Sequence, residues 1–174
     1  NQTTAYDNTF IGFQAGYTNT TGTDNTFIGK YAGHANTATD NTFIGSEAGY
    51  KNTSGADNTF VGETAGYQNT TGRDNVFIGE DAGYNNTDGD DNTFVGSLAG
   101  RTNTTGEKNT FIGNDAGYDN SSGWRNTAVG DSSLTDVGQG IGNTAVGQGA
   151  GAATEFADFN TFVGVRAGWD NNRN

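Results

Sequence analysis

Short apolar pairs interrupt an otherwise polar chain at a fixed interval. Phe followed by Ile or Val, with Asn-Thr before it and Gly after it, first occurs as Asn8-Thr9-Phe10-Ile11-Gly12. The motif begins again at Asn25, Asn41, Asn58, Asn75, Asn92, Asn109, Asn126, Asn143 and Asn160, giving spacings of 17, 16 and then 17 residues seven times. A repeat this short cannot bury its own apolar face, so it must stack on its neighbours, and the recurrence decides the architecture before any local propensity is weighed. Residues 1–174 therefore read as one repeat domain, an all-β parallel β-solenoid of about ten coils of 16–17 residues.

Written out, the rung is Asn-Thr-Phe-Ile-Gly-x-x-Ala-Gly-Tyr-x-Asn-Thr-Thr-Gly-x-Asp. Its β-branched and aromatic Thr-Phe-Ile segment, closed by glycine, predicts a short strand. The closing glycine is present in every rung, from Gly12 to Gly164, which points to positive φ or close backbone approach at a corner. Ala-Gly, as at Ala65-Gly66, marks a second tight place, and Asn-Thr-Thr-Gly reads as a polar strand end or turn. On this reading each coil holds two short strands, and the rod is on the order of 45 Å long at about 4.8 Å per rung. The Asn that heads each rung is expected to form an amide ladder along the axis. The one 16-residue rung, Asn25 to Asp40, lacks the glycine of the Asn-Thr-Thr-Gly segment, which places the deletion in a turn.

Adjacent strand residues point to opposite faces, so Phe10 and Ile11 cannot both face the interior of one coil. The same holds for Phe27 and Ile28, Phe43 and Ile44, Phe60 and Val61, Phe77 and Ile78, Phe94 and Val95, Phe111 and Ile112, and Phe162 and Val163. These sixteen residues form a core seam on one side and an apolar stripe on the other. A stripe of that length is larger than monomers usually leave in water, and association of like rods around a common axis removes it. Phe is expected to be the inward partner, because its two losses, at Ala128 and Ala145, coincide with new apolar residues in the divergent coils 126–174. Leu134, Val137, Ile141, Phe156 and Phe159 read as fillers of the space vacated.

Composition agrees with a solenoid better than with a globule. The chain has 29 glycines, no proline, cysteine or methionine, and only 31% apolar residues. Disorder is the other reading of such a composition, but linkers do not repeat an apolar pair at fixed spacing. Without cysteine there are no disulfides or thiolate metal sites. No apolar run approaches a membrane span and no charged-then-apolar leader precedes Asn1, so the sequence reads as a fragment or mature segment. The 20 acidic against 8 basic residues give a net charge of −12, which disfavours nucleic acid and anionic membranes as partners.

Asn-Thr-Phe-Ile-Gly, and the Asn-Thr-Ala-Val-Gly variants at 126–130 and 143–147, resemble the strand motif of the left-handed parallel β-roll in head domains of trimeric autotransporter adhesins. They resemble equally the repeats of bacterial and phage tail-fibre proteins that precede an intramolecular chaperone domain. The resemblance spans the chain and implies a left-handed β-roll assembled as a homotrimer, at a cell surface or on a virion tail fibre. Two departures from the adhesin heads are the longer rung and Phe in place of a small residue.

Three columns are candidates for chemistry. Tyr17, Tyr50, Tyr67, Tyr84, Tyr118 and Trp169 share a column with His34, Arg101, Thr135 and Ala152. Such an aromatic ledge offers rigid contact area to glycan rings or a receptor, or simply covers the corner glycines. Asp24, Asp40, Asp57, Asp74 and Asp91 follow Asp7 in the place before the head Asn. Like charges about 4.8 Å apart repel by roughly 1 kcal/mol or more, which a calcium ion would relieve, as would Asx turns and counterions. Lys108 and Arg125 then break the column. The strand threonines Thr9, Thr26, Thr42, Thr59 and Thr93, and the pairs such as Thr70-Thr71, resemble the arrays of ice-binding solenoids.

Catalysis has no support in these residues, since His34 is the one histidine and no serine sits in a nucleophile motif. The expected function is a structural and adhesive segment of an extracellular fibre or adhesin head, non-enzymatic, presenting a repetitive surface to a host receptor, glycan or surface polysaccharide. The alternative is an ice-binding solenoid.

Overall fold

The computed structural model describes residues 4–153 and 158–169. Ten three-residue strands, β1 (Thr9–Ile11), β2 (Thr26–Ile28), β3 (Thr42–Ile44), β4 (Thr59–Val61), β5 (Val76–Ile78), β6 (Thr93–Val95), β7 (Thr110–Ile112), β8 (Thr127–Val129), β9 (Thr144–Val146) and β10 (Thr161–Val163), lie in sequence order in a single sheet. All pairings are parallel, and each motif residue faces its own copy: Phe10 pairs Phe27, Phe43 pairs Phe60, and Val129 pairs Val146. The architecture is the expected parallel β-solenoid.

Each coil holds one strand among the described residues, where two were expected. The rest of the rung still bonds to its copies above and below: the Gly16 amide donates to the Ala32 carbonyl at 3.0 Å, Gln68 to Tyr84 at 2.9 Å and Thr87 to Thr104 at 2.9 Å. What breaks the strand geometry is the backbone. One left-handed place precedes the head Asn (Asp24, Asp57, Lys108, Arg125), and another lies two residues after the strand glycine (Glu47, Thr64, Asp81, Leu98), all with φ between 54° and 61°. Extended pairing cannot run through such residues.

The phenylalanines point inward. Phe27, Phe43, Phe60, Phe77, Phe94 and Phe111 are wholly buried, and their rings stack with centroids 4.7–5.0 Å apart and planes within 10° of parallel. These separations suit offset stacking, so the rung spacing of the sheet and the preferred geometry of the rings agree. The ring of each Phe lies on the glycine of the Ala-Gly pair: a β-carbon at Gly83 would stand 2.6 Å from the Phe77 ring. That glycine is therefore required by the side chain it supports, as well as by its φ of 59°.

At the eighth rung the two residues change together. Ala128 takes the Phe place and Leu134 takes the glycine place, both wholly buried, and Leu134 adopts a φ of 45°. Leu134 and Phe162 both reach the space beside Gly151, so they close the void left by Ala145 in the ninth rung. Val137 is buried as well. Ile141 is half-buried, and Phe159, expected as a filler, is 79% exposed because its place precedes the head Asn, on the outside of the corner. Phe156 lies outside the described residues. The Phe–Gly and Ala–Leu pairs should thus exchange only as pairs. Ala128→Phe alone drives a ring into Leu134 and is expected to cost about 1–3 kcal/mol. Adding Leu134→Gly should recover part of that loss, a coupling that a double-mutant melting cycle would read.

Two asparagine ladders stand beside the Phe stack, the first along the whole rod from Asn8 to Asn160 and the second from Asn36 to Asn120. In the first, the backbone amide of each head Asn donates to the side-chain oxygen of the head Asn one rung earlier, as Asn58 does to Asn41 at 3.0 Å and Asn92 to Asn75 at 2.9 Å. In the second, unforeseen in the sequence, the Asn of Asn-Thr-Thr-Gly donates its amide to its predecessor: Asn52 to Asn36 at 2.6 Å and Asn86 to Asn69 at 2.8 Å. Both ladders converge on the carbonyl of the turn glycine. Gly72 O accepts from Asn58 and from Asn69, each at 2.9 Å. In the 16-residue rung the Ala38 carbonyl takes this part, accepting from Asn25 at 2.9 Å and from Asn36 at 2.8 Å, so the deletion is absorbed in the turn. The second ladder ends at Asn120, whose buried side-chain oxygen has no partner because Val137 stands in the next place.

Candidate functional site

With the Phe side and both ladders buried, three outer surfaces are left to meet a partner: the outer face of the sheet, the aromatic column and the Asp column. The outward face of the sheet carries the strand Thr and the Ile or Val of each rung, two residues apart and so on the same side. Among the inner rungs Ile78, Ile112 and Val146 are 39–40% exposed, and Ile11 and Val163 at the end rungs are 58% and 70% exposed. Between Thr26 and Val146 no charged side chain enters these two columns.

The two kinds of threonine column differ in what their hydroxyls do. In the Asn-Thr segment Thr37, Thr53, Thr70, Thr87 and Thr104 each donate to the carbonyl one rung on, at 2.8–3.1 Å. These hydroxyls belong to the scaffold. Among the described residues the strand threonines Thr26, Thr42, Thr59, Thr93, Thr110, Thr127 and Thr144 make no hydroxyl bond. These residues are half-buried and recur once per rung, except in the fifth rung, where Val76 takes the place.

The aromatic column forms a continuous stack. Tyr17, His34, Tyr50, Tyr67 and Tyr84 follow one another with centroids 4.9–5.2 Å apart and planes within 13°. Arg101 continues the series, its guanidinium 5.3 Å from the Tyr84 ring and 5.9 Å from the Tyr118 ring, and is held there by Asp81 at 3.2 Å. Packing inside the ledge raises the Tyr67 hydroxyl pKa, first through burial and then through the Glu47 charge. Because each ring face covers its neighbour, the regular ledge offers edges and hydroxyls, and not the faces on which a sugar would stack. Trp169 shares the column but is separated from Tyr118 by Thr135 and Ala152.

The Asp column is explained by its backbone. Asp24, Asp40, Asp57, Asp74 and Asp91 all have φ of 58–59°, the left-handed region that Asp and Asn tolerate best. They are exposed, and among the described residues no three metal-capable side chains gather at one point. Lys108 and Arg125 hold the same φ of 58°, so the place requires a conformation and not a carboxylate.

No helix among the described residues is long and apolar enough to cross a membrane. Comparison with known protein families, characterised proteins and solved structures finds no match for this chain.

Proposed function

We propose that the chain is a structural and adhesive segment of an extracellular fibre or adhesin head, at a cell or virion surface, in which copies of the rod associate as a homotrimer through the outer face of the sheet. The observation that carries this reading is the uninterrupted Ile/Val column on that face, partly exposed in a single chain and free of charge from β2 to β9. Seven stacked ledge residues, the Phe stack and two Asn ladders make the rod stiff along its axis, as a spacer requires, and no asymmetric cluster of nucleophile, base and acid interrupts them among the described residues. The resemblance of the strand motif to adhesin heads and tail-fibre repeats supports the same reading. The partners it implies are other copies of the chain and, at the outer columns, a receptor, glycan or surface polysaccharide.

The free strand hydroxyls favour a second reading. A flat, uncharged array of Thr hydroxyls and aliphatic methyls at one spacing suits ordered water, and so ice, as well as it suits a second rod. One experiment separates them. Light scattering across a range of concentrations is expected to give three times the chain mass. A well-folded monomer would overturn the fibre reading, and thermal hysteresis by that monomer would establish the ice-binding one.

A further inference from the structure

The aromatic ledge has one break, and the break is built. In the column that begins Tyr17, His34, Tyr50, the eighth and ninth places are Thr135 and Ala152, and the ring resumes at Trp169. Two ring positions are thus vacant, and a cavity of about 350 Å³ stands in their place, lined by Ser132, Thr135, Ala152, Ala153 and Trp169. A second substitution accompanies the vacancy. Gly149 occupies the left-handed place that holds Glu47, Thr64, Asp81, Leu98 or Asp115 in other rungs, and a β-carbon there would run into the indole of Trp169. The indole therefore rests over Gly149, at the side of the gap, in a place that any of those side chains would take from it. Unlike Tyr17, Tyr50, Tyr67 and Tyr84 it has no aromatic neighbour among the described residues, only the Arg166 guanidinium 5.2 Å from its ring, and it is 42% exposed.

We propose that this gap between Thr135 and Trp169 is a binding slot for a neutral sugar ring. The proposal rests on the adhesive reading and names its ligand class. The volume is at the small end of ligand pockets and suits one or two pyranose units. An indole with no ring stacked on it is a surface for the apolar C–H face of a sugar, which the stacked tyrosines do not provide. The polar side of the slot is set for hydroxyl groups. Thr135 donates its own proton to the Ser132 carbonyl at 2.7 Å, so its oxygen is left to accept. Ser132, the other polar residue of the lining, donates its hydroxyl to the Asp131 carboxylate at 3.0 Å, so its oxygen too is left to accept from a sugar hydroxyl. The lining itself carries no charged side chain, and the charges beside it, Asp131 on Ser132 and Arg166 on the indole, are of opposite sign, which fits an uncharged polyol.

The test uses indole fluorescence of the whole chain in a Trp124→Phe background, so that Trp169 is the single tryptophan. The methyl glycosides of glucose, galactose and N-acetylglucosamine are titrated into the millimolar range. At least one is expected to give a saturable change. Ala152→Tyr restores the residue that five rungs carry at this place and fills the gap, so it should weaken binding by roughly tenfold or more while the protein stays folded. Tyr50→Ala, in the unbroken ledge, should leave binding unchanged. No saturable response to any of the three sugars overturns the proposal, and so does a response that survives Ala152→Tyr. Light scattering on the same samples keeps the two ideas apart: a trimer that binds no sugar loses the slot alone, and a monomer that binds sugar loses the fibre alone.

Discussion

Alanine at Gly62 is expected to split the rod. Gly62 closes β4 with a φ of 143°, a region open in practice only to glycine, and a β-carbon there would run into the carbonyl of Gly79 on the next rung. The backbone term is about 1–3 kcal/mol, and forcing two rungs apart adds a comparable amount by overpacking. In a solenoid each rung contacts only its neighbours, so the damage is confined to one interface and uncouples the rungs on either side. Gly164 provides the internal control. Its φ is 122°, yet a β-carbon there meets nothing within 4 Å. Gly164→Ala should therefore show the conformational term alone, and Gly62→Ala that term plus the clash. By thermal melting, Gly62→Ala is expected to fall roughly 10 °C or more below the parent or to melt in two steps, since each kcal/mol shifts the midpoint of a chain this size by about 2–4 °C. Equal losses for the two variants would show that close approach contributes nothing at this corner.

The repeat made much of this fold legible, and the reason is physical. When every rung stacks on its own copy, a column in the sequence is a column in space, so the Phe column and the Asn8 to Asn160 ladder follow from spacing, while the inward side of Phe rests on the substitutions at Ala128 and Ala145. Inference failed where residue type misleads. Asn-Thr-Thr-Gly has the composition of an exposed turn, and at Asn52, Asn69 and Asn86 it instead supplies a buried ladder. Burial of a polar side chain is a tertiary fact, decided here by the partners above and below. The left-handed place at Glu47, Thr64 and Leu98 accepts almost any residue, so nothing in the sequence marks it, and without it the second half of the rung looks like a strand.

The candidate site was legible only as a column. Tyr17 to Trp169 share one ledge, but spacing does not say which way the rings face. Stacking turns their faces toward one another and removes the glycan surface that the composition suggests. The same logic makes an interruption informative. Thr135 and Ala152 look like decay of the repeat, and in space they are the one stretch of the described ledge where an indole stands apart from other rings. The Asp column teaches the converse: five aligned carboxylates suggest a metal, and their shared φ of 58–59° accounts for them without one.

Removing one ladder asparagine should do more harm than removing an ordinary buried amide, because each serves two rungs. Asn58 donates its side-chain amide to Asn41 at 3.2 Å and to the Gly72 carbonyl at 2.9 Å, and its oxygen accepts from the Asn75 backbone amide at 3.1 Å and side chain at 3.2 Å. Asn58→Ala strands the Asn75 backbone amide inside the buried ladder, and each orphaned buried group costs about 1–3 kcal/mol. A total loss of roughly 3–5 kcal/mol is expected, read as a fall in the denaturation midpoint with an unchanged slope. Asn58→Asp gives the decisive contrast. As a carboxylate it still accepts from Asn75 but faces the Asn41 oxygen and the Gly72 carbonyl, both acceptors, so burial and repulsion raise its folded pKa above the usual value of about 3.9. A raised folded pKa means that the native state binds the proton more tightly than the unfolded chain. Asn58→Asp should then approach the parent in acid, where the protonated group donates in place of the lost amide, and lose stability as pH climbs through the unfolded and then the folded pKa. The Asn58→Ala variant has no group to titrate there, so its deficit relative to the parent should stay constant over the same range. Parallel pH profiles for Asp and Ala at this place would mean that water reaches the ladder and that the two rows of asparagine are not what keeps the rungs in register.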